Sequence, residues 1–165
     1  MREDPLVYTI DDGRVAGRPG PMRVPWDLKA LSDAGFRVIV SFECDLLEPE
    51  HVREMRALGL EHKAICVADF TAPTIDQLFE FNEFVDRKLA EGTKVLTHCY
   101  AGRGRTGTFL ASRLVWAGTP VEAAVKDVRA RIMESQGTLA GAIEPVQIEA
   151  LHAFARVLRD RTAKR

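Results

Sequence analysis

A short β-branched and apolar run, Val95-Leu96-Thr97, leads through His98 and Cys99 into a loop holding Gly102, Gly104 and Gly107, and the apolar segment 109–116 follows at once. Strand, glycine-bearing loop, helix is the regular reading of such a stretch. It directs the loop N–H groups and the positive end of a helix at one spot, the arrangement by which proteins hold phosphate. A strand apolar on both faces also needs neighbours and two covering layers.

The rest of the chain supplies them. Residues 7–10 and 14–16 flank Asp11-Asp12-Gly13 and predict an edge hairpin with an Asp-Gly turn. Residues 17–25 contain three prolines and two glycines and are read as loop. A helix is expected over 26–34, stopped by Gly35; a doubly buried strand over 38–42; a short helix over 50–58, ended by Gly59; and a strand over 62–67. Thr74 and Gln77 have capping-box spacing, opening a long helix that Gly92 ends. Thr119 and Glu122 repeat the box, with Pro120 at the first helical position, for a helix over about 121–133. Residues 135–144 are read as irregular loop, 145–159 as a final helix, and 159–165 as a frayed basic tail. The alternation predicts an α/β fold: one largely parallel mixed sheet of about five strands with helices on both sides. A length of 165 residues suits a single domain.

Composition narrows the function classes. A formal charge of −1 gives no general attraction to nucleic acid or anionic membrane, so any phosphate preference must be local. No apolar run approaches the roughly 18 residues of a membrane span, and the acidic N-terminus lacks a signal-like apolar stretch. The three cysteines, Cys44, Cys66 and Cys99, show neither CxxC nor metal-ligand spacing, so no disulfide framework and no metal site is expected. A soluble, cytoplasmic protein in a reducing setting, without cofactor, is the expectation; the oligomeric state is not encoded in any feature we can name.

At the loop, a cysteine before convergent amides, a helix N-terminus and Arg105 is placed to act as a thiolate nucleophile. Those donors, the loop segment Tyr100, Ala101, Gly102, Arg103 and Gly104 with Arg105, would also grip phosphate oxygens, the guanidinium taking two in a fork. Thr106 is placed to hydrogen-bond the sulfur when it leaves, and His98 to order the loop rather than act as a base. Tyr100 either walls the pocket or packs beneath it. Arg103 either attracts a polyanionic head group or pairs with a neighbouring carboxylate, and the pairing is the expectation. Cys66 is expected as a buried core thiol, with a reversible disulfide to oxidised Cys99 as the other reading.

His98-Cys99-x5-Arg105-Thr106-Gly107 resembles the signature of cysteine-dependent protein tyrosine phosphatases, above all the small atypical dual-specificity and archaeal-type members. The resemblance extends to residues 67–73, which look like the segment bearing that family's general acid, and so implies that role for Asp69, thirty residues before Cys99. It implies a cysteinyl-phosphate mechanism on phosphorylated proteins or peptides, phosphotyrosine first and phosphoserine or phosphothreonine next, with a phosphoinositide as the alternative substrate. After the helix that follows the signature the pattern departs over 131–143 and rejoins near Gly141. Gln147 is therefore read either as a water-positioning residue or as a surface helix residue. Two further alternatives are a rhodanese-type sulfurtransferase, which has no use for Asp69, and a phosphate-binding module without turnover.

Overall fold

The structure, a computed structural model, describes residues 4–164. Its centre is a five-stranded sheet of β1 (Tyr8–Ile10), β2 (Val15–Arg18), β3 (Phe36–Ser41), β4 (Glu61–Ala64) and β5 (Lys94–His98), in the order β1-β2-β5-β3-β4. All neighbours run parallel except β1, which closes one edge antiparallel to β2. The mixed sheet flanked by helices thus matches the sequence pattern. Among the described residues the helices are α1 (Leu28–Asp33), α2 (Pro49–Ala57), α3 (Ile75–Ala90), α4 (Arg105–Trp116), α5 (Val121–Gln136) and α6 (Pro145–Ala163).

Strand alternation divides the interior into two cores. Val15, Val38, Val40 and Val95 face the larger one, with Phe79 and Phe81 of α3, Phe109 of α4 and Phe154 of α6. Ala16, Ile39 and Leu96 face the smaller one, with Leu28 and Leu31 of α1 and Met55 of α2. This is why the runs 38–42 and 95–97 read as continuously apolar. β5, flanked by β2 and β3, is the most protected strand, and its C-terminal end carries Cys99.

Local signals set most boundaries. Asp27 caps α1 by accepting from the Ala30 N–H at 2.9 Å, so that helix starts two residues later than expected. Thr74 and Gln77 form their reciprocal box. The Thr119/Glu122 box does not form: Pro120 is itself the N-cap of α5, without a side-chain cap bond, and α5 runs on to Gln136. The strand expected over 62–67 ends at Ala64, although the N–H groups of Ile65 and Val67 still donate to Ser41 O and Phe42 O, each at 2.9 Å. α6 continues to Ala163, into the segment 159–165 expected to fray, whose last residue lies outside the described residues, and Arg161 lies over the Phe79 ring at 3.7 Å.

One expectation is overturned outright. Cys44 and Cys66 form a disulfide, with Cα atoms 5.7 Å apart. Parallel pairing of β3 with β4 brings the exits of both strands side by side, so cysteines 22 positions apart become neighbours without any motif in the sequence. Cys66 is consequently exposed and bonded to Cys44, not a buried core thiol, and the cysteine count no longer argues for a reducing compartment.

Candidate active site

The loop between β5 and α4 is braced from beneath by β1, β2 and the segment after β2. The Tyr8 hydroxyl donates to Gly102 O at 2.6 Å, and the Gly20 N–H to Tyr100 O at 2.8 Å. Two glycines make this approach possible. A Cβ on Gly20 would lie 2.2 Å from Cys99 O, and one on Gly102, whose φ is +77°, would lie 2.4 Å from the Arg18 carbonyl carbon. Arg18 is fully buried; its guanidinium donates to Asp4 and to the carbonyls of Pro19, Val24 and Pro25, folding residues 19–25 into a fixed loop.

Cys99 sits in this cradle with its sulfur accepting from the Gly102 N–H at 3.2 Å, before the N-terminus of α4. Arg105, buried in the first turn of α4, donates from Nη1 to Val67 O at 2.8 Å. That contact leaves the side-on Nε/Nη2 edge as the available fork: Nη2 lies 3.3 Å from Asp69 Oδ1, and Nε is buried without a protein partner. The Thr106 hydroxyl is likewise buried and unpartnered among the described residues, although Thr106 does not itself line the cavity. Buried polar groups are normally satisfied, so the open Arg105 donor is suited to an anion oxygen.

Asp69 lies on the loop between β4 and α3, about half exposed, and accepts from the Phe70 N–H. Phe70 has φ +60°, unusual for a bulky side chain, and is 73% exposed. The far side of this loop is tied by Gln147, which donates from Nε2 to Thr71 O at 3.2 Å and accepts from the Glu144 N–H at 2.7 Å. Gln147 is 1% exposed, so its reading as a surface residue fails. Cys99, Tyr100, Ala101, Arg103, Gly104, Arg105, Asp69 and Gln147 all line a single cavity of about 440 Å³.

His98 is hydrogen-bonded on both ring nitrogens at the start of the loop. Its Nδ1 lies 3.0 Å from Cys99 O, its Nε2 is 2.6 Å from the Ser41 hydroxyl, and Ser41 in turn is 2.8 Å from His62 Nε2. Burial pushes the His98 pKa down to about 4, keeping the imidazole neutral. Arg103 corrects its expectation: it donates to Ala140 O at 2.7 Å and Gln136 Oε1 at 2.9 Å, both neutral oxygens, and among the described residues it forms no ion pair with a carboxylate.

Five cavity residues escaped the sequence reading as site residues: Arg23, Phe70, Ala140, Gly141 and Glu144. The one usable signal was Arg23, the only charged residue of the Pro/Gly-rich segment 19–25.

A parallel sheet covered on both faces, with a Cys-x5-Arg phosphate loop at the exit of its central strand, defines the protein tyrosine and dual-specificity phosphatases. Residues 16–119 match the family described as Tc-R-P, polymorphic toxin system, DSP-PTPase phosphatase, and the chain belongs to that family. It is 28% identical over 183 residues to human phosphatidylglycerophosphatase and protein-tyrosine phosphatase 1, covering 96% of this chain and 86% of that protein. The mouse protein of the same name is 29% identical over 117 residues, covering 68% of this chain but only 56% of that protein's length. Among solved structures, Tk-PTP in its active form superposes with a TM-score of 0.76 at 30% identity, covering 92% of this chain and 97% of that one. PTPMT1 gives 0.74 at 25% identity, covering 96% and 99%. Within its family, the chain groups with the small atypical dual-specificity phosphatases.

Proposed function

We propose that the chain hydrolyses phosphate monoesters in two steps. The Cys99 thiolate attacks phosphorus and the P–O bond to the leaving group breaks, while the Asp69 carboxyl gives its proton to the departing oxygen. Water then attacks the cysteinyl-phosphate, Asp69 takes the proton from that water, and the P–S bond breaks with Thr106 donating a hydrogen bond to the leaving sulfur. The Arg105 fork and the loop amides meet the charge that spreads over the equatorial oxygens in both steps. The observation that carries this reading is the convergence of the Cys99 sulfur, the open Arg105 Nε and Asp69 on one cavity.

Turnover of para-nitrophenyl phosphate in the presence of a chelator tests it, and retained activity in Cys99→Ser would sink the mechanism. For Asp69→Asn, kcat on phenyl phosphate should drop by roughly 10² or more, and far less on 2,4-dinitrophenyl phosphate, whose leaving group needs no proton. An equal loss on both esters would remove Asp69 from the acid role.

Phosphotyrosyl proteins are the first substrate class, with phosphoserine and phosphothreonine next; the aromatic walls Tyr100 and Phe70 support an aryl ester. A phosphoinositide is the second reading, supported by the charge of Arg103, which forms no ion pair among the described residues, and by the lipid-phosphatase activity in the name of the human relative. Relative kcat/KM across phosphopeptides and phosphoinositides separates the two.

A further inference from the structure

We propose that Arg23 provides, beside the cradle for the scissile phosphate, a subsite for a second anionic group on the same small substrate, and so determines specificity. The proposal deepens the second of the two substrate readings, the phosphoinositide one, and rests on the phosphatase mechanism.

Arg23 belongs to the loop folded by Arg18 and docked on Tyr100, and its own N–H is fixed by a 3.1 Å bond to Gly20 O. Its guanidinium lies 5.5 Å from the centre of the Tyr100 ring. A cation–π contact at this distance holds the charge near the ring without an oxygen or nitrogen acceptor for its N–H donors. Among the described residues those donors have no hydrogen-bond or ion-pair partner, yet Arg23 lines the same cavity as Cys99.

The charges lining the cavity do not balance. Against Arg23, Arg103 and Arg105 stand Asp69 and Glu144. Asp69 faces Arg105, and Glu144 is the N-cap residue of α6. The phosphate under attack is held by Arg105 and the loop amides, so the charge of Arg23 is left for something else. Arg23 lies over the ring of Tyr100, which directly follows Cys99, and lines the same cavity of about 440 Å³, so the condition for using it is a second anion close to the scissile phosphate. Acidic side chains of a phosphopeptide, spaced along a main chain outside the cavity, do not meet that condition. A polyol carrying two phosphates does, either free or as a lipid head group.

The test compares the wild type with Arg23→Met and Arg23→Lys on four substrates: para-nitrophenyl phosphate, a short-chain phosphatidylinositol monophosphate, its deacylated head group, and a phosphotyrosine peptide with acidic flanks. In Arg23→Met the ratio of kcat/KM for the deacylated head group to that for the aryl phosphate should fall about tenfold, mainly through KM, with Arg23→Lys regaining part of the loss. A matching fall on the short-chain lipid adds the lipid as a source of the same head group. A fall on the lipid alone means that Arg23 reads an interface and overturns the subsite. A proportional fall on all four substrates overturns it in favour of loop packing, and a selective fall on the acidic peptide overturns it in favour of peptide recognition. A wild type that turns over the aryl phosphate but not the head group refutes this proposal alone, whereas one that turns over neither refutes the phosphatase reading beneath it.

Discussion

The proton positions around His98 follow from one carbonyl. Cys99 O can only accept, so Nδ1 must carry the hydrogen; the neutral ring then presents Nε2 as an acceptor to the Ser41 hydroxyl, and Ser41 accepts from His62 Nε2. Every group in this hydrogen-bonded series has one role, which fixes the Cys99 peptide. The unfolded chain binds a proton at His98 near pH 6.5 and the folded chain only near pH 4. Stability from this site is therefore complete above pH 6.5 and is lost as pH falls toward 4. Urea unfolding at pH 7 and pH 5 should show this as a loss of about 2 kcal/mol at the lower pH, and His98→Gln should lack that part of the slope. Identical slopes in both proteins would mean that His98 is not held neutral. Tyr8→Phe removes the brace on Gly102 O and should lower stability by about 1 kcal/mol with a several-fold loss of kcat.

Between elements, the tightest seam is that of the 19–25 loop against the phosphate loop. Gly20→Ala forces a methyl against the Cys99 carbonyl, a contact backbone cannot relieve by a rotamer change. The expected outcome is a loss of kcat on para-nitrophenyl phosphate of roughly 10² or more, from displacement of the nucleophile, and normal turnover would disprove the seam. The elements themselves were legible because their signals are local: two apolar strand runs, Thr74 with Gln77, and the Cys99 to Gly107 loop. The site was legible as far as one segment held it, and resemblance added Asp69. What escaped was non-local. Cys44 meets Cys66 only after a crossover. Arg103 finds Ala140 and Gln136 only when α5 has docked. Gln147 turns inward because Thr71 O awaits a donor there. Pro120 failed the pattern for a different reason: two capping positions compete one residue apart, and the rigid proline took the cap.

Across the whole molecule, both sheet faces are sealed, and no helix among the described residues is long and apolar enough to cross a membrane. The loop carrying Asp69 leaves from a doubly secured root. Val67 is bonded through both N–H and C=O, and Cys66 is held by Gln77 through its carbonyl and by Cys44 through its sulfur. Cutting the bridge should cost about 3 kcal/mol by loop entropy and lower Tm by roughly 6–12 °C, and a Cys44→Ser/Cys66→Ser variant should melt like the reduced protein. An unchanged Tm on reduction would show that the bridge adds nothing to the fold. Cys99 and the bridge then make opposite demands on the solution. On the proposed mechanism Cys99 must be kept from oxidation, and the thiols usually added for that purpose attack the bridge at the exposed Cys66. An assay run in dithiothreitol therefore reports on a protein whose Asp69 loop has lost one anchor, and deoxygenated buffer without thiol is the medium in which the intact protein can be timed.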